Sequence, residues 1–345
     1  MSQEIVRSTL EKLGYKLKDC GNHWRTNAMY RGGSNPTAVL VYKDTGVWTD
    51  FVKNTPCLPL KDLVSATLKT NDPDQINKIL DGKNLPTQSV CNKPKISSEK
   101  VYPEDILLKL LPHYIYYKRK GIKEQCLANL KSGLATSGSM YQRFVFPIFN
   151  EQGQIHGFSG RDMLDSGDRP KWKLMGKKSN WIYPAYVKVD GDLLYKNSII
   201  ESKSVILVES IGDMLALHSC GYNNVLVTFG TAISSKLLCF ILSTGAQKVY
   251  ISLNNDSNKE RNSGRIGSIK IFIKFLNYFN PNKLYISPPT SNDFGDMSCE
   301  DIHTWKENID SSVIDPETLR NDVINYHKSG EISDSDYKSF NKNYS

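Results

Sequence analysis

Oxygen-bearing side chains follow three apolar stretches in the second half of the sequence. They are Glu209 and Asp213 after 205–208, Asn254 and Asp256 after 248–253, and Asp293 and Asp296 after 284–287. If the stretches are parallel strands, these residues converge at the carboxyl edge of one sheet, where ligands bind. Carboxylates gathered there repel one another unless a cation lies between them, and hard oxygen ligands favour Mg²⁺ or Mn²⁺. The matching chemistry is phosphoryl transfer at a two-ion site, with ions about 3.5–4 Å apart.

A structural role for the same acids stays open. Acidic residues at the starts of helices commonly act as caps in ordinary α/β domains. Taken singly, Asp213 and Asp256 fit that role better than the role of metal ligands. Asn254 offers a neutral oxygen without a charge, which leaves the metal affinity of the edge in question.

Basic and aromatic residues are interleaved in the segment that precedes the acids. The candidates for binding nucleotide or nucleic acid are Arg143, Arg161, Lys171, Trp172 and Lys173. Arginine can bind a phosphate with two donors, and an aromatic ring can stack on a base. A solvated basic face on a hairpin is the alternative interpretation.

The pattern of elements indicates how these residues are positioned. From residue 202, short apolar stretches alternate with helical ones, which predicts a parallel sheet covered by helices. Before it, 143–149 and 155–159 flank Asn150-Glu-Gln-Gly153 and predict a β-hairpin, and 114–130 is a predicted helix.

Composition shifts divide the chain into successive parts, and the fold class is a multidomain mixture of α/β and α+β. The polar, proline-containing stretch 83–100 indicates a linker. The predicted parts are a small module over 1–82, that linker, a basic subdomain over 101–197, the parallel-sheet domain over 198–298, and a C-terminal tail over 299–345 that binds a partner or is frayed.

Composition restricts the class of protein. The 345 residues carry a formal net charge of +8, which favours but does not require a polyanionic partner. Apolar runs are far shorter than the roughly 20 residues that a bilayer requires, and the amino terminus lacks the pattern of a secretory signal. Seven scattered cysteines show no spacing typical of a disulfide framework, so we expect a reducing cytoplasm.

Several motifs resemble those of one family, the DnaG-type DNA primases with a TOPRIM domain. Val208-Glu209-Ser-Ile-Gly212-Asp213 and 228–234 resemble its TOPRIM motifs. The segments 143–149, Gly157-Phe-Ser-Gly-Arg161 and Pro170-Lys171-Trp172-Lys173 resemble its basic subdomain. Tyr117-Lys-Arg-Lys-Gly-Ile122 is similar to one of its opening helices.

The resemblance implies the synthesis of short RNA primers on single-stranded DNA from ribonucleotides. It implies that Glu209 is the catalytic acid or base and also a metal ligand. It further implies that Asp213, Asn254, Asp256, Asp293 and Asp296 belong to the Mg²⁺ or Mn²⁺ site, and that Lys118 and Arg119 touch the template. The family usually has an aspartate where this chain has Asn254.

The amino-terminal module resembles the zinc ribbon of the same family but lacks most ligands. Cys20-Gly-Asn-His23 supplies one pair, and the second pair is missing unless Cys57 and Asp50 replace it. We therefore expect no zinc, and we expect Phe51 and Leu60 to pack together in its place.

The chain's size is similar to that of primases from T4-like phages, which implies a hexameric replicative helicase as partner in a bacterial host. Two other functions stay open, namely a TOPRIM nuclease and a catalytically silent replisome subunit that holds single-stranded DNA. Asn254 and the missing zinc ligands favour the silent subunit.

Overall fold

Two separately packed units make up the chain, Met1–Ser97 and Ser98–Ser345. The computed structural model describes residues 3–53, 55, 57–80, 100–164, 169–310 and 315–344. The predicted linker 83–100 lies, except for Lys100, outside the described residues.

The first unit packs an antiparallel sheet against helices. Its elements are α1 (Gln3–Lys12), β1 (Lys18–Asp19), β2 (His23–Thr26), β3 (Val39–Tyr42), β4 (Trp48–Asp50), α2 (Leu60–Leu68) and α3 (Pro73–Ile79). The strands pair in the order β1-β2-β3-β4. Trp24 and Trp48 on the sheet are buried in one cluster with Leu10 of α1 and Leu63 of α2.

The predicted contact between Phe51 and Leu60 is wrong for Phe51. Leu60 is buried, but Phe51 is 48% exposed, and the guanidinium carbon of Arg25 lies 4.6 Å from its ring centroid. Asp50, the last residue of β4, turns its side chain inward, and successive side chains of an extended chain point to opposite faces. Phe51 is therefore directed outward.

The second unit begins with an antiparallel sheet and its flanking helices. These elements are β5 (Leu110–Leu111), α4 (Ile115–Arg119), α5 (Glu124–Asn129), β6 (Gly133–Ala135), β7 (Arg143–Phe149), β8 (Ile155–Asp162), β9 (Trp172–Met175) and α6 (Leu194–Ser202). The strand order is β5-β6-β7-β8-β9. The β7–β8 pairing agrees with the predicted hairpin, whose turn is closed by the Asn150 N–H donating to the Gln154 carbonyl.

The predicted continuous helix over 114–130 is wrong. The chain forms α4 and α5 with a turn between them, because Gly121 has a φ of +77° that a helix does not accommodate. The turn leaves Lys120 at the C-terminal end of α4.

A parallel sheet follows, with helices between its strands. Its elements are β10 (Ser204–Val208), α7 (Ile211–Ser219), β11 (Val225–Val227), α8 (Ser235–Ser243), β12 (Lys248–Ile251), α9 (Ser263–Phe275) and β13 (Leu284–Ile286). The strand order is β11-β10-β12-β13, with every pair parallel. All residues of β10 are buried, as expected for a strand covered on both faces. The predicted parallel α/β sheet is therefore confirmed.

The C-terminal helices pack onto the parallel-sheet region rather than fraying. They are α10 (Cys299–Asn308), α11 (Pro316–Lys328) and α12 (Asp334–Asn343). Leu319, Val323 and Phe340 belong to the same hydrophobic cluster as the sheet, and Arg265 of α9 forms an ion pair with Asp322 of α11 at 2.7 Å. None of the helices in the described ranges combines the length and apolar character needed to cross a bilayer.

One cysteine pair escaped the sequence interpretation. Cys220 at the end of α7 and Cys299 at the start of α10 form a disulfide, with Cα atoms 5.6 Å apart. Their sequence separation of 79 residues conceals a contact that the packing of α7 and α10 produces.

Candidate active site

The acidic end of the parallel sheet is built from three strand-to-loop junctions. Glu209 follows β10, Asp256 follows β12, and Asp293 lies in the loop after β13. Burial raises the pKa of Glu209, and the negative charge of Asp256 raises it further. Lys259 and the backbone N–H of Asn254 counteract part of this shift. The charge of Asp256 therefore acts on Glu209.

Asp213 is buried at the start of α7, and both of its carboxylate oxygens accept hydrogen bonds. Oδ2 accepts from the Ser210 hydroxyl at 2.7 Å and from the Ser210 N–H at 3.1 Å. Oδ1 accepts from the N–H of Phe294 at 3.1 Å. Burial raises the pKa of Asp213 to about 7, and the charge of Asp293 adds to the effect of burial. Asp213 thus joins the loop after β10 to the loop after β13.

Asp256 is also buried and holds the turn that leads into α9. Oδ2 accepts from the N–H of Gly264 at 3.1 Å, and Oδ1 lies 2.5 Å from the Lys259 ammonium nitrogen. A Cβ atom on Gly264 would lie only 1.9 Å from the Asn254 carbonyl oxygen. The close approach of β12 and α9 behind Asp256 therefore requires glycine at this position.

The remaining predicted metal residues differ in exposure. Asn254 and Asp293 are half-buried, whereas Asp296 is exposed. The side chain of Asp293 does not cap the 3₁₀ turn Phe294–Asp296 that follows it. The Asp293 side chain is thus not used as a helix cap, while Asp296 is open to solvent.

The oxygen donors at the edge suit a hard divalent cation, but the acidic side chains are not gathered around a single point. In the part of the chain that the structure describes, no three histidine, cysteine or acidic side chains are grouped as metal ligands. The ammonium group of Lys259 interacts with Glu209, Asp256 and Asp293 and so provides a cation at the position where repelling carboxylates require one. Among the described residues, Glu209, Asp256 and Asp293 thus share the charge of Lys259 without forming a closed set of metal ligands.

A cleft separates this acidic end from the antiparallel sheet of the same unit. On the basic side it is lined by Tyr116, Tyr117, Lys120, Ile122, Arg161, Lys171 and Trp172, and on the acidic side by Ser210, Gly212, Asp213, Asp293 and Gly295. Lys178 bridges the two sides outside the cleft by donating to the Phe229 carbonyl at 3.2 Å. Basic and acidic residues thus line the same cleft.

Arg161 lies between two aromatic rings in the cleft. Its guanidinium carbon is 4.9 Å from the ring centroid of Tyr116 and 5.9 Å from that of Trp172. Stacking on aromatic faces orients the planar guanidinium without using its N–H donors. Among the described residues, the Arg161 Nε atom is buried without a hydrogen-bond acceptor.

Arg143 is located away from the cleft. It is 2% exposed, and its Nη1 atom donates to the carbonyl oxygens of Gly160 at 3.2 Å and Pro170 at 2.9 Å. Burial lowers the pKa of Arg143, although the charge of Asp162 opposes that shift. The side chain predicted to bind nucleotide connects β8 to the segment before β9.

The other predicted basic residues divide into two groups. Lys171 lines the cleft, whereas Lys173 donates to the Ser139 carbonyl at 2.7 Å. Lys118 forms an exposed ion pair with Glu124 at 2.9 Å, and Arg119 is exposed. Neither Lys118 nor Arg119 is among the residues that line the cleft.

Two residues of the cleft, Tyr116 and Lys120, were missed by the sequence analysis. Lys120 precedes Gly121 within the basic run that contains Lys118 and Arg119. Because α4 ends there, Lys120 and Tyr116 line the cleft, one turn of helix apart. The signal available in the sequence was the i, i+4 spacing of Tyr116 and Lys120, which places both on one face of a helix.

Within the first unit, Asp50 is fully engaged by the protein. Its carboxylate accepts from Tyr30 at 2.8 Å, from Arg31 at 2.7 and 3.2 Å, and from the N–H groups of Val52 and Lys53. Burial alone would raise the pKa of Asp50, but these bonds lower it to about 2. Cys20 and Cys57 are exposed, and His23 Nδ1 lies 2.8 Å from the Asn22 side-chain oxygen.

Comparisons with known proteins relate part of the sequence to bacterial enzymes. No protein-family profile matches the chain. The DNA primase of Clostridium acetobutylicum is 33% identical over 152 residues, which cover 41% of this chain and 24% of that protein. The DNA primase of Helicobacter pylori strain 26695 is 31% identical over 118 residues, which cover 33% of this chain and 20% of that protein.

Solved structures give lower identities. The zinc-binding and RNA polymerase domains of the Aquifex aeolicus primase align over 100% of this chain and 96% of that one, with 19% identity and a TM-score of 0.49. The DnaG primase catalytic domain bound to single-stranded DNA aligns over 57% of this chain and 71% of that one, with 16% identity and a TM-score of 0.46. The chain matches only about a quarter of the length of its curated relatives. The sequence matches thus relate about two fifths of this chain to DNA primases.

Proposed function

We propose that this chain is a DNA primase that synthesises short RNA primers on single-stranded DNA by template-directed nucleotidyl transfer. The supporting observation is the cleft in which Lys120, Arg161 and Lys171 face Asp213 and Asp293. Such a cleft can bind the phosphates of a nucleotide on one side and present oxygen ligands on the other. The curated relatives, which are DNA primases, favour this reaction over DNA cleavage.

In this proposal the basic side binds and orients the substrates. Arg161 and Lys171 bind phosphate, and Lys120 adds charge at the cleft entrance. Tyr116 and Trp172 hold the guanidinium plane of Arg161, and Trp172 offers a face on which a base can stack. Arg143 acts as a positioning residue, because its hydrogen bonds fix the backbone immediately before Arg161 and immediately before Lys171.

The acidic end of the parallel sheet, from which Asp213 and Asp293 line the cleft, would perform the chemistry. Glu209, whose pKa is raised by burial, is the candidate that accepts the proton of the attacking 3′-hydroxyl. Glu209, Asp256 and Asp293 would hold Mg²⁺ or Mn²⁺, which when bound lowers the barrier by stabilising negative charge on the reacting phosphate. Asp213 keeps the loops of Glu209 and Asp293 in register through its hydrogen bonds. We include Asn254 and Asp296 as outer contributors to the site.

The finer assignments extend the proposal to the whole chain. We assign 198–298 to a TOPRIM catalytic domain, 101–197 to its basic subdomain, and 1–82 to a degenerate zinc ribbon. We further propose a phage origin related to T4-like primases, action in the cytoplasm of the bacterial host, and a hexameric helicase partner. The helices of 299–345 are the candidate contact for that helicase.

A primer-synthesis assay tests the proposed reaction. The chain is incubated with single-stranded template, labelled ribonucleotides and Mg²⁺ or Mn²⁺, and we expect labelled oligoribonucleotides that depend on the template. Shortened template without labelled product would instead indicate a nuclease. Binding without either product would indicate a silent single-stranded-DNA-binding subunit, and either result would refute the proposal.

A further inference from the structure

Lys259 places a positive charge against the acidic end of the parallel sheet. Its ammonium nitrogen lies 2.5 Å from Asp256 Oδ1. The hydrogen bond to Asp256, together with the negative charges of Asp256, Glu209 and Asp293, raises the pKa of Lys259. The ammonium group therefore contacts Asp256 directly, and the charges of acids from two other strand-to-loop junctions act on it.

The turn that carries Lys259 is fastened on both sides. The backbone N–H of Lys259 donates to the backbone carbonyl of Asp256 at 3.0 Å. This turn brings the Lys259 side chain back towards the Asp256 carboxylate. Arg261, two residues later, forms an ion pair with Glu331 in the turn between α11 and α12. These contacts restrict the directions in which the ammonium group can point, although the side chain is 56% exposed.

Asn254 lowers the negative charge beside the turn that carries Lys259. It has a neutral amide at the position where the sequence resemblance leads to an aspartate. A positive charge at Lys259 reduces the repulsion between Glu209 and Asp256 still further. The edge thus has its carboxylates partly neutralised by the chain itself.

We propose that Lys259 is an internal counter-ion that competes with a divalent metal ion for Asp256. The inference rests on the proposed function only in taking the acidic edge as a metal site. A protonated lysine has no lone pair, so it cannot join the ligands of the ion. Its contact occupies one lone pair of Asp256 Oδ1, and its positive charge repels a cation that approaches that oxygen.

An ordinary surface ion pair makes a different prediction. Such pairs contribute little, so removing Lys259 would then leave metal affinity unchanged. A counter-ion that occupies the site makes the metal bind more weakly than it would to the carboxylates alone. The two interpretations therefore differ in whether the removal of Lys259 increases the affinity for metal.

Manganese binding to the full chain, without nucleotide or DNA, tests the inference. Free Mn²⁺ is measured by electron paramagnetic resonance during titration of the wild type, Lys259→Met, Lys259→Arg and Lys274→Met. Lys274 is exposed in the last turn of α9, about 16 Å along the helix from its start, and controls for the loss of one positive charge. Lys259→Gln replaces Lys259→Met if circular dichroism shows that the methionine variant is unfolded.

We expect Lys259→Met to bind Mn²⁺ on the order of three- to tenfold more tightly than the wild type. Lys259→Arg and Lys274→Met should match the wild type, and Asp256→Asn should remove the gain when it is combined with Lys259→Met. An unchanged or weaker affinity of Lys259→Met overturns the inference and leaves primer synthesis by the wild type unaffected. If neither the wild type nor Lys259→Met binds Mn²⁺ saturably, both the inference and the metal site of the proposed function are overturned.

Discussion

Arg143 and Arg161 lie on the paired strands β7 and β8, and their guanidinium groups have different surroundings. Arg143 is buried and donates to backbone carbonyls, whereas Arg161 is held between the rings of Tyr116 and Trp172 in the cleft. Both residues have the same charge. Their expected contributions to binding therefore follow from their hydrogen-bond partners rather than from their residue type.

Replacing Arg161 should weaken the binding of nucleic acid. We expect Arg161→Ala to lower the affinity for single-stranded DNA by about tenfold, with a salt dependence that is shallower by about one phosphate contact. Fluorescence anisotropy at several salt concentrations measures both quantities. Lys236→Ala, at an exposed position of α8, is the matched control. Unaltered affinity of Arg161→Ala would return this residue to a structural role.

Replacing Glu209 should remove the chemistry while sparing binding. Glu209→Gln keeps the size of the side chain but cannot accept a proton, so primer synthesis should fall on the order of 10²- to 10⁴-fold. Affinity for single-stranded DNA should stay close to that of the wild type. Primer yield and anisotropy are measured on the same preparation, and a comparable yield would exclude Glu209 from proton transfer.

At the scale of elements, the connection from β12 to α9 is the most tightly constrained part of the acidic edge. Gly264 allows the start of α9 to approach the Asn254 carbonyl, and its N–H donates to Asp256. Gly267, one turn later, faces Thr231, and a Cβ atom at this position would lie only 2.6 Å from the Thr231 side chain. Helix α9 therefore packs closely against the loops that carry the acidic residues.

A methyl group at position 264 should disrupt this close packing. Gly264→Ala would push α9 away from β12, and overpacking of this kind typically destabilises a protein by about 1–3 kcal/mol. The midpoint of thermal unfolding should fall, together with the affinity for Mn²⁺. Gly212→Ala is the comparison, because a Cβ there meets only the Ser210 hydroxyl at 3.4 Å. Equal unfolding midpoints for the two variants would contradict the proposed constraint.

Some of these structural features could be predicted from the sequence, and others could not. The parallel strands were predictable because each is an apolar run that is buried on both faces, as in β10. The break between α4 and α5 was not, because the apolar period continues through Gly121 while the backbone does not. Lys259 could not be identified either, since a lysine in an irregular turn has no period that links it to Asp256. The burial of Arg143 was hidden by its charge.

At the scale of the whole molecule, the two units depend on different polar interactions. The core of the first unit surrounds Asp50, whose carboxylate joins Tyr30 and Arg31 to the loop after β4. Arg31 and Asp50 form an ion pair at 2.7 Å in which Asp50 is fully buried. Asp50 is therefore a structural centre of this unit, and its oxygens are already occupied by protein donors.

Acid should weaken the first unit through Asp50. The pKa of Asp50 is lowered from 3.8 to about 2 in the fold, so its stabilising effect is present above the unfolded value and is lost as the pH falls through the folded value. Asp50→Asn should destabilise the unit by about 3–5 kcal/mol near neutral pH, because it leaves Arg31 without its charge partner.

Hydrogen exchange of β3 and β4 across this acidic range measures the effect in the intact chain. The wild type should lose protection between about pH 4 and pH 2, and the asparagine variant should show a flatter dependence. Parallel pH profiles for the two proteins would show that Asp50 does not govern acid stability.

The turn at 257–262 has a consequence for how this lineage can diverge. Its ends are fixed at Asp256 and Gly264, while 257–260 are exposed to solvent. Amino-acid exchanges there alter the local field around the carboxylates and leave the strand and helix that present them untouched. We expect selection, natural or in a laboratory library, to adjust ion preference at these surface positions before it alters the buried residues.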